Sequence, residues 1–246
     1  MIVGVALPPG VDAIASKGGS MKRMGFVWGS SCSQVTVSLL VVSVAAVEDV
    51  KPVVPREKMI LWNGKDFMGW QRFLPDPSKD VDKTWSIENG LLRCTGSPVG
   101  YMRTEKAYAD YHLHVEWRWP AKGGNNGVLV HMSGEDVVWP RSLECQLASG
   151  NAGDFWVIGG LEFAEHAKGG SRVKDRRTIK LHESSEKPPG EWNQYDILCK
   201  DDWVVVLANG VLQNVATKCS DKSGRICLQS EGAPIEYRNL WLEPLQ

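Results

Sequence analysis

Apolar and polar residues alternate along most of the chain after residue 58, and helical periodicity is almost absent there. Alternation with a period of two predicts strands that bury one face and expose the other. The pattern predicts strands over 111–119, 127–132, 142–148, 155–159, 194–200, 226–229 and 236–242.

Two hairpins are predicted by Asn-Gly pairs between apolar runs, where the turn requires positive φ angles. One pair is Asn89-Gly90 in TWSIENGLLRCTG, and the other is Asn209-Gly210 in DWVVVLANGVLQNVA. Many short strands separated by turns are typical of a sandwich of two sheets. We therefore predict an all-β fold, a two-sheet antiparallel β-sandwich in a single domain.

The first 46 residues have a different character from the rest. Two basic residues follow Met21, and the apolar run VTVSLLVVSVAAV (35–47) ends in small residues, which is the order found in a secretory signal. The run is too short to span a bilayer. We predict a signal peptide over 1–46, with Met21 as a possible true start, a linker over 47–57 and the domain over 58–246. The mature protein is then expected in the periplasm or outside the cell, with no stable membrane span.

The composition of the chain limits the kinds of molecule that it is expected to bind. The net charge is −1 and no long block of like charges occurs, so the basic footprint of a nucleic-acid-binding protein is missing. Tryptophan is abundant, with 11 residues against five Phe and five Tyr. Tryptophan fills sandwich cores, but it also stacks on the apolar faces of sugar rings.

The cysteines after residue 46 are odd in number, which argues against a complete disulfide framework, and no CxxC pair suggests zinc. They are Cys94, Cys145, Cys199, Cys219 and Cys227. Cys145 and Cys199 alternate with polar residues and are expected to be buried as small apolar groups. The spacing would also allow a bridge between Cys219 and Cys227 across a short hairpin.

One polar face is unusual for a solvated strand. Glu144 and Gln146 alternate with apolar residues, His131 shares a face with Leu129, and Glu116 lies in the strand before it. If these consecutive strands are neighbours, one sheet carries all four side chains next to the glycine-rich loops. The solvated outer face of an antiparallel sheet would also be polar, so two interpretations stay open.

Long motifs of the chain resemble, in order, those of the 3-keto-disaccharide hydrolase domain family. They are LWNGKDFMGW (61–70), WSIENGLLRCTG (85–96), GYMRTEKAYADYHLHVEWRW (100–119), GGNNGVLVHMSG (123–134), WPRSLECQLASGNAGDFWVIGG (139–160), GEWNQYDILCKDDWVVVLANG (190–210) and GRICLQSEGAPIEYRNLWLEPL (224–245). The resemblance implies a concanavalin/LamG-like jelly roll. It also implies a carbohydrate substrate whose C3 hydroxyl has been oxidised to a ketone.

A 3-keto sugar permits cleavage by elimination, because the ketone makes the C2 hydrogen acidic. The site needs a base at C2, an electrophile at the C3 oxygen and an acid at the glycosidic oxygen. Glu144 or His131 is the candidate base, with the other supplying a proton, and a divalent metal ion is a possible electrophile. Candidate substrate-binding residues are Gln146, Asn126, Arg103, Trp156, Asn151, Asp154 and His182.

Other interpretations remain open. Asn126 would also suit turn geometry beside Gly127, and Trp156 would also suit the core. The chain could be a non-catalytic, lectin-like jelly roll, because fold does not decide function. It could also be a conventional glycosidase that uses two carboxylates, Glu116 and Glu144.

Overall fold

The computed structural model describes residues 51–245, so the predicted signal peptide lies outside the described residues. Two short helices, α1 (Val81–Thr84) and α2 (Ala164–Ala167), accompany the strands. In chain order the strands are β1 (Met59–Ile60), β2 (Trp70–Phe73), β3 (Trp85–Glu88), β4 (Leu91–Cys94), β5 (Gly100–Thr104), β6 (Tyr111–Arg118), β7 (Gly127–Met132), β8 (Ser142–Gln146), β9 (Phe155–Ile158), β10 (Val173–Lys174), β11 (Arg177–Thr178), β12 (Asn193–Lys200), β13 (Trp203–Ala208), β14 (Val211–Ala216), β15 (Arg225–Ser230) and β16 (Ile235–Pro244).

The strands form two antiparallel sheets. The first sheet has the order β14-β13-β12-β6-β16-β4-β3, with β1 also paired to β16. The second sheet has the order β10-β11-β9-β8-β7-β15-β5-β2. The predicted fold class, an all-β two-sheet sandwich of the jelly-roll type, is confirmed.

Strict alternation in the central strands builds the core between the sheets. In β6 and β12 every second side chain is buried, so that Tyr111, Leu113, Val115 and Trp117 point inward from β6. The facing side chains of the second sheet belong to the same apolar cluster, for example Val128 and Leu143. Both Asn-Gly hairpins form as predicted, since Asn89 and Asn209 adopt φ angles of 53° and 50°.

The strand predictions are confirmed to within one residue at each end, except that β8 and β16 each differ by two at an end. Pattern alone did not identify β1, β2, β5, β10 and β11, most of which are short. The segment expected as a linker lies against the sandwich at Val53, whose N–H donates to Ala107 at 2.8 Å.

The five cysteines of the described residues are buried and free. Cys145 and Cys199 belong to the apolar core, as predicted. The bridge between Cys219 and Cys227 is not formed, because Cys219 packs in the main core while Cys227 belongs to a separate apolar cluster on the other face of the second sheet.

Replacement of Trp117 by Ala should lower the free energy of unfolding by about 3–5 kcal/mol, because a fully buried indole leaves a cavity in the core. Trp203→Ala is the matched control, since Trp203 is 54% exposed on the same sheet and should cost about 0.5 kcal/mol. Urea denaturation measures both, and Trp117→Phe should fall in between. Equal losses at the two tryptophans would contradict this description of the core.

Candidate active site

A row of side chains crosses the second sheet on the face that points away from the core. The strand register places Leu129 of β7 opposite Glu144 of β8, and Glu144 opposite Trp156 of β9. Gln146 lies opposite Gly127 at the start of β7. Side chains of paired residues stand on the same face of a sheet, so Glu144 lies between Leu129 and Trp156.

A cavity of about 180 Å³ opens on this face. Its polar lining comes from four strands or their adjoining loops: Asn125, Glu144, Gln146, Arg176, Gln229 and Glu231. Its apolar lining is Trp139, Trp156 and Ile158. A small cavity with convergent polar groups and aromatic walls is the usual form of a site for a small molecule.

Glu144 is the most unusual of these groups. The residue is only 5% exposed, and its Oε1 atom has no hydrogen-bond partner among the described residues. Burial, reinforced by the nearby charge of Glu231, raises the pKa of Glu144 to about 8, against the weaker opposing effects of Gln229 and Arg176. An unsatisfied buried carboxyl is costly to a fold, and such groups cluster at functional sites.

Gly127 makes room for this carboxyl. A Cβ atom at position 127 would lie 2.6 Å from the Oε1 atom of Glu144 and would also collide with the Oε1 atom of Gln229. The oxygen of Gln229 likewise has no hydrogen-bond partner among the described residues. The two oxygen atoms without partners, Oε1 of Glu144 and Oε1 of Gln229, therefore both lie next to Gly127, which is the one position of β7 that has no side chain.

Glu231 brings a second carboxylate to the cavity from the loop after β15. Its pKa is raised by burial, which outweighs the hydrogen bond from Asn125 and the charge of Arg176. Its backbone N–H donates to the Oδ1 atom of Asn126 at 2.8 Å. Two carboxyl groups thus share one cavity, and the charge of Glu231 makes ionisation of Glu144 less favourable.

Gln146 is oriented by its own loop. Its Oε1 atom accepts a hydrogen bond of 2.9 Å from the N–H of Ala148, which leaves the amide NH₂ group as the part able to bind a ligand. Its backbone carbonyl accepts from the hydroxyl of the buried Tyr195, across the core. The side chain is 6% exposed and therefore well fixed.

Trp139 forms an aromatic wall in a strained conformation. Its φ angle is 61°, which is uncommon for a bulky residue and costs on the order of 1–3 kcal/mol. The loop that carries it is anchored by Asp136, which accepts hydrogen bonds from Tyr101 and, in a bidentate pair, from Arg103. Strain that the surrounding structure maintains is characteristic of ligand sites.

Arg103 is therefore a support of the site. Both of its hydrogen bonds to Asp136 are 2.7 Å long, and it does not line the cavity. Asn126, fully buried, donates to the carbonyl of Ala233 and accepts from Glu231, so it fixes the loop while its neighbour Asn125 lines the cavity.

Asn151 and Asp154 hold the strand segment beyond the cavity. Arg177 donates to Asp154 at 2.6 Å and to Asn151 at 3.0 Å. Asp154 also accepts from the N–H of Lys180 and is fully buried. Neither residue lines the cavity, and both position the segment that supplies Arg176.

The expectation that Glu116 shares a surface with Glu144 is wrong. Strand β6 pairs with β12 and β16 in the first sheet, so consecutive strands β6 and β7 are not neighbours. Glu116 accepts from Arg238 at 2.6 Å and from Asn239 at 2.7 Å. It is a paired carboxylate on the outer face of the other sheet.

The expectation that His131 lies on the Glu144 surface is wrong as well. The register of β7 and β15 shifts here, and His131 is the bulged residue, with a φ angle of 57°. The shift places Met132, and not His131, in the apolar cluster with Leu129. His131 is fully buried outside the cavity lining, and burial lowers its pKa to about 4.

His182 is exposed in the loop before β12 and is not part of the cavity lining. The residues of the cavity that the pattern did not identify are Asn125, Trp139, Ile158, Arg176, Gln229 and Glu231. Gln229 and Glu231 alternate with the buried Ile226 and Leu228, which is the signal that identified Glu144 and Gln146.

Within residues 51–245, no group of three or more His, Cys, Asp or Glu side chains is arranged to hold a metal ion. The same part of the chain contains no helix whose length and apolar character would let it cross a membrane.

A family model described as a 3-keto-alpha-glucoside-1,2-lyase-like domain matches residues 58–243. The chain belongs to this family. The match confirms the resemblance found in the sequence motifs. A comparison with curated proteins gives no match.

Solved structures share the fold. Two candidate glycosyl hydrolases from Parabacteroides distasonis are 24% and 20% identical, with TM-scores of 0.56 and 0.55; each covers 77% of this chain, and the alignments include 94% and 100% of those chains. The Bacillus licheniformis beta-glucanase is 13% identical with a TM-score of 0.53, over 76% of this chain and 97% of its own. This chain thus shares the jelly-roll fold of these structures.

The raised pKa of Glu144 predicts a specific dependence of stability on pH. Between the ordinary value of 4.5 and about 8, the folded protein holds a proton that the unfolded chain releases. Wild-type stability should therefore fall, relative to Glu144→Gln, by roughly 1 kcal/mol per pH unit as the pH rises through this range. Urea denaturation at a series of pH values measures the difference.

Glu116→Gln is the control, and we expect the stability contributed by this carboxyl to depend on pH in the opposite direction. The pKa of Glu116 is lowered, because hydrogen bonds from Asn239 and Arg238 outweigh the effect of burial. Its stabilising contribution is present above the ordinary pKa and is lost as the pH falls. If wild type and Glu144→Gln instead show parallel profiles above pH 5, the carboxyl is not buried as described.

Proposed function

We propose that the protein is an exported enzyme that cleaves 3-keto-glycosides or 3-keto-disaccharides by abstraction of the C2 proton, elimination and hydration. Two findings support this proposal: membership in the 3-keto-alpha-glucoside-1,2-lyase-like family, and, in a polar cavity, a buried Glu144 whose Oε1 atom has no hydrogen-bond partner among the described residues. The second observation carries the mechanism, since burial makes the Glu144 carboxylate a stronger base than an ordinary glutamate.

The ketone determines the chemistry. Removal of the C2 hydrogen gives an enediolate whose charge lies largely on the C3 oxygen. When this intermediate collapses, the C3 carbonyl forms again, a C1–C2 double bond appears and the glycosidic oxygen leaves with the electron pair. Water then adds at C1, and the C2 carbon is protonated again.

Glu144 is the proposed base. A hydrated carboxylate is too weak a base for a carbon acid, whereas one with a pKa near 8 is much closer to the requirement. Gly127 leaves the carboxyl free of a covering side chain, and the buried environment excludes water that would compete for it.

The amide groups of the cavity suit the developing oxyanion and the sugar hydroxyls. Gln146 presents its NH₂ group, and Asn125 and Gln229 line the same space. Preorganised donors of this kind stabilise charge that appears only in the transition state. Trp139 and Trp156 supply aromatic walls against which a sugar ring can pack.

A second candidate is a conventional glycosidase, because Glu144 and Glu231 place two carboxylates in one cavity. Such an enzyme would cleave the unoxidised glycoside. A lectin-like module, the third alternative, would bind both sugars and cleave neither.

Wild-type protein should cleave 3-keto methyl glucoside and leave methyl glucoside intact. Glu144→Gln should lower turnover of the keto sugar by about 10²–10⁴ and abolish exchange of its C2 hydrogen with deuterated water, because the base is missing. Product analysis by NMR measures both, with Glu116→Gln as a matched control on the other sheet. Cleavage of the unoxidised sugar, or C2 exchange at the wild-type rate in Glu144→Gln, would refute the assignment.

Export is the remaining part of the proposal. Mass spectrometry of protein isolated from the native cell should show that the mature chain begins near residue 46 or 47, because small residues follow the apolar run there. A retained N-terminus together with a cytoplasmic location would contradict it.

A further inference from the structure

Elimination from a 3-keto-glycoside needs a proton for the departing oxygen as well as a base for C2. His131, which the sequence suggested for one of these roles, lies outside the cavity lining. We propose that Glu231 is the catalytic acid that protonates the glycosidic oxygen. This inference rests on the proposed function and assigns the second carboxylate of the same site.

The backbone around Glu231 is held on both sides, as a positioned acid requires. The N–H of Glu231 donates to the Oδ1 atom of Asn126 at 2.8 Å, and the Nδ2 atom of the same asparagine donates to the carbonyl of Ala233 at 2.9 Å. Between them, the N–H of Gly232 donates to the carbonyl of Gly96 at 2.6 Å. One fully buried asparagine therefore fixes the loop and leaves the Glu231 carboxyl facing the cavity.

The carboxyl groups of Glu144 and Glu231 lie at different depths in the cavity, and this difference assigns them different roles. Glu144 rises from the middle of a strand and is almost fully buried, whereas Glu231 is half-buried on a loop. The leaving group has to depart toward solvent, so the glycosidic oxygen faces the opening and C2 of the sugar lies deeper. This geometry gives the deep carboxyl to C2 and the outer one to the glycosidic oxygen.

The charges that face Glu231 among the described residues are Glu144 and Arg176. Ionised Glu144 favours a proton on Glu231, because two adjacent negative charges in a buried site repel each other. Arg176 has the opposite effect but is exposed, so solvent screens its charge. The active state is therefore the pair with its single proton on Glu231; because burial raises the pKa of Glu144 to about 8, this is the less populated of the two singly protonated states.

Each proton that a carboxyl group takes or gives during elimination is restored during hydration. Glu144 takes the C2 proton, and Glu231 gives its proton to the glycosidic oxygen as the C1–O bond breaks, so an alcohol leaves. In hydration, Glu231 takes a proton from the water that attacks C1, and Glu144 returns its proton to C2. Both carboxyls end as they began, and no further reactant is required.

Leaving groups of different acidity test the role of Glu231. In Glu231→Gln, turnover of 3-keto methyl glucoside should fall about 10²–10⁴-fold, since methanol leaves poorly without a proton. In a single turnover, release of 4-nitrophenolate from the 4-nitrophenyl 3-keto glucoside should stay within a few-fold of wild type, because 4-nitrophenolate leaves unprotonated and departs before the hydration step in which Glu231 acts again. Exchange of the C2 hydrogen of the methyl substrate with deuterated water should persist.

Control variants distinguish a failure of this inference from a failure of the proposed function. Glu144→Gln should lose turnover of both substrates and lose exchange, and Glu116→Gln should match wild type on both. If Glu231→Gln slows the two substrates equally, or loses C2 exchange, Glu231 is not the acid. If wild-type protein cleaves neither keto sugar, the proposed function itself fails.

Discussion

The apolar core between the two sheets is the constraint on which the rest of the structure depends. Because its tryptophans and aliphatic side chains must all point inward, every strand that contributes to it turns its remaining side chains outward. The fold therefore generates two outer faces, and both carry polar groups. What distinguishes them is how fully those groups are paired.

On the outer face of the first sheet, the charged groups satisfy one another. Asp196 accepts from both His112 and His114 at 2.8 Å, and Glu116 is held by Arg238 and Asn239. On the second sheet, Glu144 is as polar as these groups, but its Oε1 atom has no hydrogen-bond partner within residues 51–245. A paired surface lowers the free energy of the fold, whereas an unpaired buried carboxyl raises it and so indicates a functional site.

The backbone of the loop beside the cavity is also strained. Trp139 is kept in a left-handed conformation by the loop that Asp136 anchors to Arg103 and Tyr101. A β-bulge at His131 displaces that residue and brings Met132 under the same loop. Supporting residues such as Arg103, Asn126 and Asp154 thus act through the groups that they position, which explains why polar residues near a cavity need not touch its ligand.

The sequence by itself determined the local structure and the family. Period-two alternation and Asn-Gly turns fix strands and hairpins, because they depend only on neighbouring residues, and the same alternation placed Glu144 and Gln146 on one face. Only the tertiary structure decided which strands are neighbours. It put Glu116 in the other sheet, moved His131 out of register and brought Glu231 and Trp139 to Glu144. Sheet order and bulges arise from contacts between residues far apart in the chain, so a local sequence pattern does not predict either of them.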